Sequence, residues 1–190
     1  MEPEPKISGT SPVSSQPAPR ARSAVDRLKM LLRYKSWANR IAFEAVMAIP
    51  EDEALKPRMT TYENMVYTLN HVYVVDDIFR HHLIGRKHPY KMRNTPETPP
   101  LKELWAATQE MDRWFLDRVD GWTADDLDST VNFEFVGGRE GAMTQEDIIL
   151  HLVNHATYHR GFVGDMLKQV PYYWPANDLT VFLRDHDRRV

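Results

Sequence analysis

The sequence predicts an all-α protein built on a four-helix bundle, and three observations support this fold class. Four long segments repeat apolar residues with the period of an α-helix. Residues that favour helix starts or ends flank these segments. The connections between them are mostly modest in length, as in a bundle. We expect one such domain over residues 23–190 of the 190-residue chain, which is long enough to enclose a substantial core.

The first half of the chain is predicted to hold two of the long helices. The first begins after Ser23, a favoured capping residue, and ends before Pro50. The second is expected at about residues 62–83, because Thr60 and Glu63 form a capping-box pattern just before it.

The second half is predicted to hold two further long helices and a small hairpin. A third helix is expected at about residues 101–119. The stretch TVNFEFVGGREGAM that follows contains β-formers and a Gly-Gly turn signal, which predicts a small β-hairpin. Thr144 opens the fourth helix, which is expected to continue to about Gln169, and a short fifth helix is expected after Asn177.

Two segments are predicted to lack regular structure. Residues 1–22 contain five prolines, several serines and almost no large apolar residues, which is typical of a disordered tail. They contain no apolar run of the kind that a signal peptide requires. Residues 86–100, RKHPYKMRNTPETPP, form a long polar loop, and such loops in compact domains are often functional or mobile.

The composition argues against several classes of function. The formal net charge of -3 gives no basic surface field of the kind that nucleic acids or anionic membranes attract. No apolar run is long enough to cross a bilayer. The chain has no cysteine, so a metal site must use His, Asp or Glu, and any thiol must come from outside. We expect a cytoplasmic protein without a nucleic-acid or membrane partner.

The stretch HLVNHATYHRG, residues 151–161, places three histidines at four-residue intervals on the fourth predicted helix. On a helical projection, His155 and His159 lie about 20° to either side of Ile148, inside the apolar stripe. His151 lies about 60° from Ile148, at the margin of the stripe. Two inward imidazoles one turn apart can bind one metal ion, so His155 and His159 are candidate ligands.

A third ligand is expected from the second predicted helix, because a catalytic zinc typically has three protein ligands and one open position. His71 and His82 lie on nearly the same side of that helix, whereas His81 points outward. The periodicity leaves His71 and His82 as alternatives. His81 and His88 are expected at the surface.

Two metal-binding helix motifs do not fit this region. The H-E-x-x-H motif of metalloproteases requires Glu after the first histidine as the general base, but Ala156 follows His155. Di-iron bundles require Glu three residues before a histidine, and no histidine of this chain has one.

Four stretches resemble motifs of the DinB family of metal-dependent enzymes, also called DinB/YfiT-like. RYKSWANRIAF is similar to the family's Y-x-x-W-A-N pattern, and LNHVYVVDDIFRHHLIGR to its H-x-x-x-(V/A)-D-x-x-(W/F) pattern. HLVNHATYHRGFVGDML is similar to its N-H-x-x-x-H-R-G motif, and NDLTVFLRD to its closing D-L-x-x-(Y/F)-x-R pattern. The resemblance covers nearly all of residues 24–184.

The resemblance implies a four-helix bundle, usually a homodimer, that holds one divalent metal ion, often zinc or nickel. By motif position the ligands are His71, His155 and His159, and His71 is chosen over His82 on the resemblance alone. His151 matches a position that is not a usual ligand, and a role in orienting a ligand by hydrogen bonding is one interpretation.

The resemblance favours a thiol-dependent S-transferase, because the superfamily includes transferases and isomerases that use low-molecular-weight thiols. A metal lowers the pKa of a thiol, and the thiolate is the nucleophile. Two alternatives remain. A metal-dependent hydrolase would need a general base, for which Asp76 is a candidate. A non-catalytic, metal-stabilised module for binding or stress response would have a closed site or a fourth protein ligand.

Four further residues have roles that the sequence leaves open. Arg160 is a candidate for binding a cofactor carboxylate, with a surface salt bridge as the alternative. Asp76 lies about 140° around the helix from His71 and is expected to be a surface or helix-pairing charge. Trp37 is expected in the core or at the cavity. Asn39 is expected near the metal or at a helix cap.

Overall fold

The computed structural model of the protein describes residues 21–172 and 174–187. The disordered tail expected over residues 1–22 therefore lies outside the described residues, except for its last two positions. The long helices are α1 (Ala24–Met47), α3 (Met65–Leu83), α4 (Leu101–Asp120) and α6 (Gln145–Leu167). Short helices are α2 (Glu51–Leu55), α5 (Ala124–Leu127) and α7 (Leu179–Asp185). The prediction of an all-α protein with four long helices is confirmed.

The four long helices form a bundle. α1 packs against α4 and α6, and α3 packs against the same two helices from the other side. Each long helix thus has two long neighbours, and each turns its apolar stripe toward the centre.

Two clusters of buried apolar side chains fill the bundle and show the direction of each helix. Leu28, Phe115 and Ile148 belong to the first cluster, and Val46 and Leu69 belong to the second. α1 and α6 run from the first cluster to the second, whereas α3 and α4 run from the second to the first. The bundle therefore has an up-down-down-up order along the chain.

The segment between α3 and α4 must return along the bundle, because these two helices point the same way. It runs back along α3. The Tyr90 hydroxyl donates to the Asp77 carboxylate at 2.7 Å, and Asn94 Nδ2 donates to the Tyr67 carbonyl at 2.9 Å. The long polar loop predicted over residues 86–100 is thus held against α3 at several points.

Two of the three predicted helix caps are confirmed. The hydroxyls of Ser23 and Thr144 accept hydrogen bonds from backbone N–H groups three residues on, at 3.1 and 3.0 Å. The cap predicted from Thr60 and Glu63 is wrong. Asn64 caps α3 instead, because its side chain accepts from the third N–H beyond it, and Glu63 adopts a left-handed φ of 51° that helical backbone does not allow.

The predicted hairpin is present as strands β1 (Thr130–Glu134) and β2 (Glu140–Thr144), paired antiparallel. Gly137 and Gly138 in the turn have φ values of 103° and 88°, which favour glycine. The hairpin packs against α3 and α6, so it stands beside the two helices that carry the candidate histidines. No helix in the described part of the chain has the length and apolar character that a bilayer span requires.

Candidate metal centre

Three histidines from two antiparallel helices meet in the structure. His71 comes from α3, and His155 and His159 come from α6. Each offers one ring nitrogen, and these three atoms all lie within 4.8 Å of one another. The structure thus brings together the three residues predicted as metal ligands, and it separates His71 from the alternative His82.

The loop that runs back along α3 orients His71. Its Nδ1 lies 2.8 Å from the carbonyl oxygen of Arg93. A carbonyl only accepts, so this contact places the proton of the neutral ring on Nδ1 and leaves a lone pair on Nε2. That Nε2 lies 3.1 Å from Nε2 of His155. Two ligands of a tetrahedral zinc, each about 2.0–2.1 Å from it, are about 3.3–3.4 Å apart, so the spacing fits a shared ion.

The three imidazoles are held in the form that binds metal. Burial, reinforced by His159 and His71, lowers the pKa of His155 to about 2. Burial lowers the pKa of His159 to about 4 and also lowers the pKa of His71. Neutral imidazole is the ligating form, so the site needs no deprotonation at pH 7.

Two nitrogen atoms of the cluster have no protein partner. Nδ1 of His155 and Nδ1 of His159 are buried, and no described residue forms a hydrogen bond with either. Leaving such polar atoms unpaired is costly. A bound ion would contact Nε2 of His155 rather than its Nδ1, so the fit to a divalent ion rests on the three-histidine donor set, its neutrality and the 3.1 Å spacing between Nε2 of His71 and Nε2 of His155.

Tyr62, in the turn before α3, covers the cluster from one side. Its ring lies 5.2 Å from the ring of His71 and 4.5 Å from that of His159, the second contact being nearly perpendicular. Tyr158 borders the cluster on α6, with its ring 5.0 Å from His159, although 61% of it is exposed. Two tyrosine rings thus border the histidine cluster, one from the turn before α3 and one from α6.

The cluster forms part of the wall of an open cavity of about 1080 Å³. The loop contributes Met92, Arg93 and Asn94, and the hairpin contributes residues from Phe135 to Met143. Glu140, on the hairpin, is the one carboxylate among the described residues that line it. The cavity has the size of a small-molecule site.

The other histidines have different surroundings. His82 lines the part of the same cavity that faces the hairpin. Its ring stacks on the Phe133 ring with centroids 4.6 Å apart, and burial lowers the pKa of His82 to about 4. His151 also lines the cavity, 5.5 Å from the ring of His155. His81 and His88, expected at the surface, are half-buried.

Arg160 does not line this cavity, although it follows His159 directly. Its guanidinium is buried and donates to Asn39 Oδ1 at 3.0 Å and to Thr157 Oγ1 at 2.9 Å. A surface salt bridge is therefore not its environment. These contacts direct the guanidinium into the bundle, and binding of a cofactor carboxylate by Arg160 stays a prediction.

Arg160 belongs to a buried polar network that joins all four long helices. Asn39 on α1 donates to Asp112 on α4 at 3.1 Å. Lys35 on α1 donates to the same carboxylate at 2.8 Å and to Asp76 on α3 at 2.6 Å. The network contains two cations and two carboxylates, so its charges balance inside the core.

The network distinguishes the two alternatives expected for Asp76. Asp76 pairs helices, as expected, but it is fully buried rather than at the surface. Burial raises its pKa to about 6, against the opposing charge of Lys35. Burial alone would lower the pKa of Lys35, but the carboxylates of Asp112 and Asp76 outweigh burial and raise it. Trp37 lies at the edge of the core, 5.6 Å from the ring of Phe182, and outside the cavity.

The buried histidines predict a loss of stability in mild acid. Five have a pKa that burial lowers below 6.5, so the unfolded chain binds more protons than the metal-free folded protein below about pH 6.5. These are His71, His82, His151, His155 and His159. Asp76 acts in the opposite sense between about pH 6 and 4, but it is a single group.

We therefore expect the urea midpoint of metal-free protein to stay level from pH 8 to pH 7 and to fall between pH 6.5 and pH 4. Chemical unfolding at fixed ionic strength measures this. A midpoint that does not change between pH 7 and pH 5 would contradict the burial of these rings.

Comparison with known proteins agrees with the fold. The model of the DinB family matches residues 24–189. Protein DinB of Bacillus subtilis (strain 168) is 22% identical over 162 residues, which covers 80% of this chain and 91% of that protein. The crystal structure of a DinB-like protein from Bacillus cereus ATCC 10987 has the same fold, with a TM-score of 0.56 at 16% identity over 77% of this chain and 94% of that one. Since the family match spans nearly all of the described residues, the chain belongs to the DinB family.

Proposed function

We propose that this protein is an enzyme that holds one divalent metal ion, zinc or nickel, and uses a low-molecular-weight thiol for S-transfer. The observation that carries the proposal is the position of the three-histidine cluster in the wall of an open cavity. Three neutral nitrogen ligands leave room for an external ligand. The cavity gives that ligand access and space.

The residues of the chain would have distinct roles in this reaction. His71, His155 and His159 would hold the metal, and the Arg93 carbonyl would keep the His71 ring in its ligating orientation. Tyr62 would shield the site from water on one side. The metal, when bound, would supply the positive charge that lowers the pKa of a thiol.

The transfer itself needs no further group from the chain. The sulfur of the thiolate would form a bond to an electrophilic carbon of the substrate, and the group leaving that carbon would take the electron pair of the broken bond. The proton of the thiol would pass to solvent.

The positions of the carboxylates support S-transfer over hydrolysis. A hydrolase would require a general base close to the metal-bound water. Asp76, the candidate from the sequence, binds Lys35 inside the bundle and does not line the cavity. Glu140 lines it, but from the hairpin. A thiolate, in contrast, reacts without a base once its proton is lost.

The open cavity also argues against a purely structural metal site. A structural zinc is four-coordinate with all ligands from the protein. Among the described residues, the group that can hold a metal has three members. A homodimer, which the family resemblance implies, is compatible with this proposal, and sedimentation of the same preparations would measure it.

Cobalt substitution tests the proposal. Protein reconstituted with Co²⁺ is expected to bind about one ion per chain and to show visible bands typical of low coordination number. Glutathione or bacillithiol should shift these bands and add a near-ultraviolet thiolate absorption. S-methylglutathione, which has no thiol, should leave the spectrum unchanged.

A variant pair provides the control for this experiment. His159→Ala should lose the cobalt spectrum, whereas His82→Gln, which alters the same cavity away from the cluster, should retain it. Absence of metal after reconstitution with zinc, nickel and cobalt would refute the proposal. A cobalt spectrum that responds to no thiol would replace S-transfer by the hydrolase or binding alternatives.

A further inference from the structure

The part of the cavity beyond the histidine cluster has an apolar wall. α3 contributes Ile78 and Phe79, and the hairpin contributes Phe135 and Met143. The whole cavity, at about 1080 Å³, is larger than a metal ion and a small thiol require. The remaining space therefore suits a second molecule that lies against this wall.

A glycine in the hairpin makes the wall possible. Gly141 lies opposite Phe133 in the β-ladder. A Cβ at this position would lie 2.7 Å from a ring carbon of Phe133 and 2.7 Å from one of Phe135, closer than real contacts allow. The missing side chain lets both rings lie across the neighbouring strand, with their centroids 5.0 Å apart. The Phe135 ring thus packs against Phe133 over Gly141.

Three exposed apolar side chains converge on this cavity. Among the described residues, eight large hydrophobic side chains are exposed, and three of them line it: Met92, Phe135 and Tyr158. They come from the loop, the hairpin and α6, three segments that are distant in sequence. Exposed apolar groups that converge on one cavity indicate an apolar ligand.

The charges at the cavity favour an anion. Arg93 and Arg139 line it, and none of the ion pairs formed by the described residues includes either one. Glu140 contributes the single negative charge. Arg139 and Phe135 face each other across the hairpin turn, where the Phe135 N–H donates to the Arg139 carbonyl at 2.7 Å. The turn thus contributes both an aromatic residue and a cationic residue to the lining of the cavity.

We infer that the second substrate is a largely apolar organic molecule with one anionic group, such as a carboxylate. Its apolar body lies between Phe79 and Phe135, and its anionic group pairs with Arg139. The inference that this ligand is a substrate rests on the proposed function, but the binding of the ligand to this wall does not require the metal.

A matched pair of fluorescent probes tests this ligand class on the full chain. 8-Anilinonaphthalene-1-sulfonate carries an anion on an apolar body, and N-phenyl-1-naphthylamine is the same body without the anion. We expect saturable binding of the sulfonate probe, with higher affinity than for the neutral probe. Arg139→Gln should weaken the sulfonate probe about fivefold and leave the neutral probe nearly unchanged.

Further variants distinguish the contribution of the apolar wall to probe binding from that of the Arg139 charge. Phe135→Ser should weaken both probes by similar factors, and Gly141→Ala should do the same by displacing the rings. Two control variants should bind both probes as the unaltered chain does. Arg86→Gln changes a residue at a neighbouring smaller pocket, and Leu150→Ser changes an exposed apolar residue outside the cavity. Circular dichroism and urea unfolding establish that each variant is folded.

Several outcomes would overturn the inference. Equal affinity for the two probes, an unaltered sulfonate affinity in Arg139→Gln, or unaltered binding of both probes to folded Phe135→Ser would each do so. Measurements with and without zinc separate this inference from the proposed function. If the protein binds zinc but has equal affinity for the two probes, the ligand class is refuted and the proposed function is not. If the protein prefers the sulfonate probe but binds no zinc, the proposed function is refuted and the ligand class is not.

Discussion

His155→Ala is expected to weaken zinc binding by more than about 100-fold. Loss of a residue that only hydrogen-bonds to a ligand weakens metal binding by up to about 100-fold, and loss of the ligand itself should weaken it more. The physical reason is the central place of His155 in the cluster. Its ring lies 5.0 Å from that of His71 and 4.3 Å from that of His159. Removing it would leave the remaining two histidines as the only protein ligands, which is below the number that catalytic zinc sites use.

Competition with a chromophoric chelator measures this affinity, and His151→Ala is the matched control. His151 lies one turn earlier on α6 and lines the same cavity, but it is not part of the three-histidine group. Its replacement should change the affinity much less. Metal-free His155→Ala should unfold at a urea concentration close to that of the metal-free parent at pH 7. Zinc affinity in His155→Ala equal to that of the parent would remove this residue from the ligand set.

Asp112→Ala is expected to lower the free energy of unfolding by about 3–5 kcal/mol, the usual effect of removing one partner of a buried ion pair. Asp112 accepts hydrogen bonds from both Lys35 and Asn39, and Lys35 is 0% exposed. The substitution would leave the buried network with two cations and one carboxylate. The buried donors of Lys35 and Asn39 would lose this acceptor, and leaving buried donors unpaired inside the bundle costs free energy.

Urea unfolding measures the effect, with Asp117→Ala as the control. Asp117 lies on the same helix but is exposed, so its replacement should change the free energy of unfolding by no more than about 0.5 kcal/mol. Lys35→Met combined with Asp112→Ala should destabilise less than the sum of the single changes, because the unpaired ammonium is then gone. Additive effects would show that the two side chains do not act as a pair.

Some features of the network were accessible from the sequence. Lys35 and Asp112 lie at inward positions of their helices, between apolar residues such as Leu28 and Ala42 on α1 and Leu104 and Phe115 on α4. A charged residue inside an apolar stripe indicates a buried partner. The pairing itself was not accessible, because it depends on which helices are neighbours.

Other parts of the site left no signal in the sequence. The Arg93 carbonyl that orients His71 is a backbone atom in an irregular loop, and any residue type has such an atom. The wrong cap at Thr60 has a similar origin. Two residues matched a local pattern, but the left-handed backbone at Glu63 moved the start of α3 to Asn64.

The long helices and the inward direction of His155 and His159 could be predicted from the sequence, because both follow from the period of 3.6 residues along one helix. The sequence did not choose between His71 and His82 by periodicity. These residues share a face of α3 but stand about 16 Å apart along its axis, from a rise of about 1.5 Å per residue. The tertiary structure selects His71, because the packing of α6 against α3 places His155 beside His71, while the hairpin covers His82 with Phe133.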